Sequence, residues 1–238
     1  MSTPRVVRQG ALASVNLTTG YNGSPVVHDV NIEIGAGELV ALLGPNGAGK
    51  TTTMLALAGH LVAISGEVTV DGKRAVSSVH RRARGGVAFI TEERAVFHTL
   101  TVAENLRLGA GTIDSALGYV PELQPLLNRR TALLSGGEQQ LLALARALAG
   151  EPRFLLIDEL SLGLAPIVVS RLLSAVREAA DSGVGVLFVE QYANRALTIA
   201  DRGYVMQRGR VVLSGSSQEI KDRIGEVEGM YLSAKSLR

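Results

Sequence analysis

Along the chain, short runs of consecutive apolar residues alternate with longer stretches in which apolar positions recur at helical spacing. Leu39–Leu43, Phe154–Ile157 and Val184–Val189 are continuous apolar runs, the pattern of strands buried on both faces. Val30–Ile34 and Glu67–Val70 read as short strands bounded by Gly, Asn and Asp. Gly203–Gln207 and Arg210–Leu213, joined by Arg208-Gly209, read as a late hairpin. Helical patterns fill the gaps: Lys50–Ala58 follows the first buried strand, Gly136–Ala149 precedes the second and Ile167–Ser182 precedes the third. This alternation predicts an α/β layer architecture. Thr91–Arg130 breaks the rhythm with a helical start at Thr101–Leu108, a Gly-rich linker at Gly109–Gly111, and then Pro121 and Pro125. The segment predicts an insertion that forms a small helical subdomain near residues 92–150. No internal repeat or low-complexity tract interrupts the pattern.

Composition narrows the class. A length of 238 residues gives ample chain for one packed core, and a charged fraction of 19% points to a globular rather than a disordered protein. The net charge of +2 is too small to argue for nucleic acid binding. With no cysteine, disulfides and thiol chemistry are excluded, in keeping with a cytoplasmic protein. Met1–Gly10 is polar and mixed, unlike a signal peptide. No uncharged apolar run approaches the roughly 18 residues that span a bilayer; the longest apolar neighbourhood, Phe154–Val169, is interrupted by Asp158 and Glu159. The mean hydropathy of +0.22 fits either a subunit with a face buried on another protein or an Ala/Leu-rich core. His28, His60 and His98 lack metal-ligand spacing, His80–Arg84 reads as a solvated basic helix face, and Lys221–Arg238 as an amphipathic cap.

Three local motifs carry chemistry. Gly44-Pro45-Asn46-Gly47-Ala48-Gly49-Lys50-Thr51 fits G-x-x-x-x-G-K-[ST] between a buried strand and a helix. Its glycines let successive backbone N–H groups turn towards a phosphate, and the helix adds its positive end. Lys50 is expected to reach the β- and γ-phosphates of a nucleoside triphosphate, with the Thr51 hydroxyl on Mg²⁺. Thr52 continues the helix start. The second motif is the acidic pair Asp158-Glu159 at the end of an apolar strand. Asp158 is placed to hold Mg²⁺ or its water shell, and Glu159 to polarise an attacking water; alone, the pair could equally mark a strand reaching solvent. The third is Leu134-Ser135-Gly136-Gly137-Glu138-Gln139-Gln140, opening a strongly helical stretch. Ser135-x-x-Glu138 is a capping box, and two glycines at a helix start also make a second anion site. Both readings stand for that segment by itself.

In this order the three motifs resemble the phosphate loop, strand acids and signature sequence of ABC ATPases, with a match running from Tyr21 to Tyr231. Leu134–Gln140, Ala143–Leu148, Asp158–Pro166, Val189-Glu190-Gln191 and Ala200–Val205 are most similar to the ATPases of branched-chain amino acid importers. The resemblance implies a P-loop fold with a mixed-sheet core, a small antiparallel β-subdomain and a helical subdomain, all in one domain. It implies ATP hydrolysis coupled to uptake of an amino acid, with ATP and Mg²⁺ bound. Tyr21 would stack on adenine, and Gly44, Asn46, Gly47, Ala48, Gly49, Lys50, Thr51 and Thr52 would cradle the phosphates. Ser135, Gly136, Gly137 and Glu138 of one subunit would close on ATP held by a second ABC ATPase subunit. Thr91–Leu100, with Ala95-Val96-Phe97, would face membrane permease subunits, which receive substrate from a periplasmic or extracellular solute-binding protein. The chain would then sit peripherally on the cytoplasmic face of the membrane, with no nucleic acid partner.

Three positions depart from the general pattern of that family. Glu92 stands where a Gln helps to ligate Mg²⁺, and Gln191 where a His contacts the γ-phosphate. Gln191 can donate a hydrogen bond but cannot become cationic. Leu160 replaces the Pro that follows the catalytic Glu. Alternatives within the class are a urea or short-amide importer and an ABC exporter. Soluble ABC-type ATPases acting on nucleic acid or ribosomes, an alternative from another class, generally carry two cassettes or a long coiled-coil insertion, and this sequence shows neither. A P-loop kinase would leave Leu134–Gln140 without a role.

Overall fold

The β-structure divides into two sheets with different burial. The strands are β1 (Ala11–Tyr21), β2 (Ser24–Gly35), β3 (Leu39–Leu43), β4 (Ala63–Val70), β5 (Lys73–Arg74) and β6 (Val87–Ile90). They continue as β7 (Phe154–Ile157), β8 (Gly185–Val189), β9 (Arg202–Gln207) and β10 (Arg210–Ser216). The helices are α1 (Lys50–Ala58), α2 (Val79–Arg84), α3 (Val102–Arg107), α4 (Ile113–Tyr119), α5 (Gly136–Ala149), α6 (Pro166–Asp181), α7 (Ala193–Ile199) and α8 (Ser217–Asp222). These come from a computed structural model that describes residues 10–91, 93, 96–159, 163–190, 192–227 and 229.

The core sheet runs β10-β9-β3-β8-β7-β6, parallel except for β10. Every residue of β3, β7 and β8 is buried, which is why these strands show no polar alternation. Their side chains nonetheless alternate between two apolar clusters. Leu39, Ala41, Leu43, Leu155, Ile157, Val186 and Phe188 pack with α5 and α6. Val40, Leu42, Phe154, Leu156, Leu187 and Val189 pack with α1 and the second sheet. Each buried Leu, Val or Phe contributes about 1.5–3 kcal/mol, so the sheet is held from both sides.

The second sheet, β2-β1-β4-β5, is antiparallel. Tyr204 of β9 ties it to the core by accepting a hydrogen bond from the Glu33 N–H at 3.1 Å. Arg202 donates to the Glu33 carbonyl at 2.9 Å and pairs with Glu38. Of this sheet, the apolar pattern predicts only Val30–Ile34 and Glu67–Val70; β2 and β4 are longer, and β1 is not predicted at all. Register shifts along β1, and Asn16 at φ 47°, break the period-two pattern that reveals a strand. The expected late hairpin is present, with Arg208 and Gly209 both at positive φ, as a type I′ turn requires.

Between β6 and β7 the chain forms α3, α4, two short 3-10 turns and α5, with α5 packed on α3, α4, α6 and β6. A single buried amide organises its entry. Asn105 of α3 accepts from the Phe97 N–H at 2.9 Å and donates to the carbonyls of Phe97 and Thr101, both at 3.0 Å. It also donates to the Thr131 hydroxyl at 2.8 Å. Asn105→Leu is expected to lower the unfolding free energy by about 2–4 kcal/mol, because it strands backbone groups of the 97–101 segment. Urea denaturation of the two proteins checks this.

Candidate nucleotide site

Three strands of the core end together. Leu42 pairs with Val189 and Ile157 with Phe188, so Gly44, Asp158 and Glu190 leave β3, β7 and β8 on one edge of the sheet. The carboxyl edge of an open α/β sheet is where such folds bind ligands.

The loop after β3 is shaped by contacts that admit no side chain. Gly44 has φ 143°, and a Cβ there would lie 2.3 Å from the Met206 carbonyl oxygen. Gly49 has φ 102°, and its Cβ would lie 2.6 Å from Val27 Cγ1. The loop is therefore clamped between β9 and β2. The Gly209 N–H donates to the Ala48 carbonyl at 2.9 Å, and the His28 N–H to the Gly209 carbonyl at 2.8 Å. Helix α1 begins at once, with neither a side-chain cap nor an acid in its first turn. Its N-terminal partial charge is left uncompensated, as an anion site requires.

Lys50 is 6% exposed, and its ammonium donates to the carbonyls of Gly44 at 2.8 Å and Pro45 at 3.0 Å. Burial lowers its pKa below the usual lysine value, opposed by the carboxylates of Glu159 and Asp158. That coupling brings the two sequence motifs into one site. Thr51 is exposed while Thr52 is buried, so of the two hydroxyls Thr51 is the one that can reach a ligand. Asn46 and Gly47 are exposed and Ala48 is buried.

Asp158 is 3% exposed, and its N–H donates to the Ile90 carbonyl at 2.9 Å. Glu159 sits at φ 52°, a left-handed conformation uncommon for a non-glycine residue. The backbone turns sharply there, so adjacent acids can serve different atoms. Among the described residues no group of three or more His, Asp and Glu could hold a metal by itself. The exposed Thr51 hydroxyl and the Asp158 carboxylate are hard oxygen donors, suited to a small cation that takes its remaining ligands from phosphate and water. Glu190 lies on the same edge, fully buried; it figures in the family resemblance, but its sequence pattern gives it no role. Its position directly after the apolar run Val184–Val189 was the available signal.

Helix α5 shows the capping box in full: the Glu138 N–H donates to Ser135 Oγ at 3.3 Å and the Ser135 N–H to Glu138 Oε2 at 2.7 Å. Gly137 is buried, and a Cβ there would lie 2.8 Å from Val168 Cγ1, so this glycine also permits close packing of α5 on α6. α5 packs on the face of the core sheet opposite α1. Ser135–Gly137 and the Lys50 loop are therefore carried on different faces of the same sheet. Tyr21 is 46% exposed at the tip of the β1–β2 hairpin, two residues beyond Thr19, which pairs with Val27 beneath Gly49. Glu92, Gln191, Leu160 and Ala95 lie outside the described residues.

Residues 27–161 match the ABC transporter family. The chain is 40% identical over 210 residues to the high-affinity branched-chain amino acid transport ATP-binding protein BraG of Pseudomonas aeruginosa, covering 83% of this chain and 89% of BraG. It is 34% identical over 221 residues to the lipopolysaccharide export system ATP-binding protein LptB of Escherichia coli, covering 88% and 92%. A crystal structure of an ATP-binding cassette of an ABC transporter in its ADP conformation superposes with a TM-score of 0.84 at 24% identity, over 93% of this chain and 98% of that one. The predicted fold class is thereby confirmed. The glycine-rich loop clamped at the sheet edge, the strand-end acids and the glycine-opened helix on the opposite face thus all belong to a chain of this family and fold. The chain belongs to the ATP-binding proteins of ABC transporters, ATPases that bind ATP, work in pairs with membrane permease subunits and couple hydrolysis to transport.

Proposed function

We propose that this subunit powers uptake of a branched-chain amino acid. The observation that carries the reading is the higher identity to BraG than to LptB, 40% against 34%. Export is the second reading, favoured by the LptB match extending over slightly more of the chain. In the import reading, a solute-binding protein delivers the amino acid to the permease.

ATP lies with its phosphates in the cradle of Gly44, Asn46, Gly47, Ala48, Gly49, Lys50, Thr51 and Thr52, and Tyr21 stacks on the base. Lys50, now bonded to its own loop carbonyls, exchanges them for phosphate oxygens. Thr51, Asp158 and Glu92 hold Mg²⁺, which neutralises charge on the phosphates when bound. Glu159 accepts the proton of the attacking water, and Gln191 positions the γ-phosphate. Ser135, Gly136, Gly137 and Glu138 close on the ATP of a second copy or a homologous subunit. That reading is supported by the placement of α1 and α5 on opposite faces of the sheet. We take the chain as a single cassette with residues 92–150 as its helical subdomain.

No described helix is long and apolar enough to cross a membrane, so attachment to the cytoplasmic face runs through the permease. A cleft of 280 Å³ between β6, the Gly109-Ala110 linker and Ala143, Arg146 and Ala147 of α5 suits a permease helix. Phe97, 54% exposed with the Arg146 guanidinium 6.0 Å from its ring centre, extends the apolar surface beside it. Reconstitution of the subunit with its permease and solute-binding protein tests the import reading. ATPase activity is expected to rise with leucine-loaded binding protein; no response to any branched-chain amino acid, with ATPase intact, would reject it.

A further inference from the structure

A second basic site lies at the far end of the core sheet from the phosphate loop. Val87 opens β6 and pairs with Phe154, which opens β7; Asp158 and Glu159 follow the other end of β7. At about 3.3 Å per residue, the four residues of β7 separate the two ends by roughly 13 Å. Beside Val87, a cleft of 270 Å³ is lined by Lys73, Arg74, Arg81, Arg82 and Arg153 together with apolar residues of β4, β6 and the 75–76 segment, and no acid lines it among the described residues.

The decisive residue is Arg82. Its side chain is 3% exposed, yet Nη1 has no hydrogen-bond partner among the described residues. Nε donates to the Val76 carbonyl at 3.3 Å and Nη2 to the Ala75 carbonyl at 3.4 Å, both long bonds to neutral acceptors. Burial pulls its pKa below the usual arginine value, and no carboxylate offsets this. A position in the last turn of α2 suits positive charge but gives Nη1 no acceptor. A buried guanidinium without a counter-ion is costly, and an anion in the cleft would remove that cost.

The surrounding groups are arranged to accept one. Arg153 is held by Asp71, at 2.7 and 2.9 Å, and lies 5.4 Å over the Phe154 ring. Among the described residues, Arg74 has only a long 3.7 Å contact with Glu67. Lys73 and Arg81 are exposed and make no ion pair among the described residues. A planar fork backed by exposed cations is the donor set that recognises phosphate.

We propose that this cleft binds a phosphate group, separately from ATP, carried either by a small soluble phosphate or by a lipid headgroup. Calorimetric titration of pyrophosphate into the protein saturated with Mg-ADP tests the soluble source. Flotation with phosphatidylcholine vesicles, with and without phosphatidic acid, tests the lipid source. Saturable binding in either arm is expected, weakened roughly tenfold or more in the K73Q/R81Q variant, whose changes are confined to exposed side chains. R82K, which keeps the charge but loses the fork, is expected to weaken the same binding. ATP hydrolysis without added pyrophosphate or vesicles should be unchanged in K73Q/R81Q, which separates this site from the nucleotide cradle. Absence of saturable binding in both arms, or binding that K73Q/R81Q leaves intact, overturns the proposal.

Discussion

Glu159→Gln is expected to lower the ATPase turnover number by roughly 10²–10⁴-fold, the contribution of a positioned general base, while ATP affinity stays within a few-fold of the parent. Glutamine has the same shape and still accepts a hydrogen bond, but its amide cannot take the proton of an attacking water. The geometry makes the split between turnover and binding specific. Glu159 follows Asp158 at the sheet edge, and its φ of 52° turns it away from the strand direction. Asp158 and Glu159 follow β7 at the sheet edge that also carries the Lys50 loop, and both carboxylates raise the Lys50 pKa against burial, the placement the assigned role requires. If Asp158 alone were needed, the substitution would leave turnover near normal. Steady-state hydrolysis by the assembled transporter, paired with fluorescent-nucleotide binding, measures both quantities. Near-normal turnover would remove Glu159 from the assigned role.

The second large effect is expected from Lys50→Met. Methionine has similar length but no charge and no N–H donors, so it cannot replace the ammonium at either the loop carbonyls or the phosphates. Two charge-assisted hydrogen bonds at about 1.5–3 kcal/mol each correspond to a loss of roughly 10²–10⁴-fold in ATP affinity. The carbonyls of Gly44 and Pro45, which now accept from Nζ at 2.8 and 3.0 Å, would also lose their partner. The loop should therefore loosen as well as lose its ligand contact. Equilibrium binding of ATP to the variant measures the first effect. Amide hydrogen exchange across residues 44–49 measures the second. Unaltered affinity would mean that the backbone N–H groups and the helix end hold the phosphates by themselves.

These two predictions draw on parts of the site that differ in how openly the sequence displays them. The loop around Lys50 was legible because its chemistry is local: glycine spacing, a lysine and a hydroxyl in one turn. The boundaries of β3, β7, α1 and α5 were legible for a related reason, since continuous burial and helical periodicity are written into adjacent residues. β1 was not, because register shifts scramble its alternation. Asn105 was equally silent. An asparagine in a helical pattern looks unremarkable until Phe97, Thr101 and Thr131 converge on it. Arg82 looked like one member of a solvated basic run, but α2 turns it inward while Arg81 and Arg84 stay exposed.

By itself, then, the sequence determined the glycine-rich loop around Lys50, the buried strands beside it and the capped helix start at Ser135. Each depends on residues within a turn or a strand of one another. Only the tertiary structure decided that Asp158 and Glu159 act on Lys50, that α1 and α5 lie on opposite faces of the sheet, and that Val27 and Met206 clamp the loop. Those outcomes follow from strand order β9-β3-β8-β7 and its register. Pairing between distant strands is set by packing summed over the whole core, so no short stretch of sequence carries it.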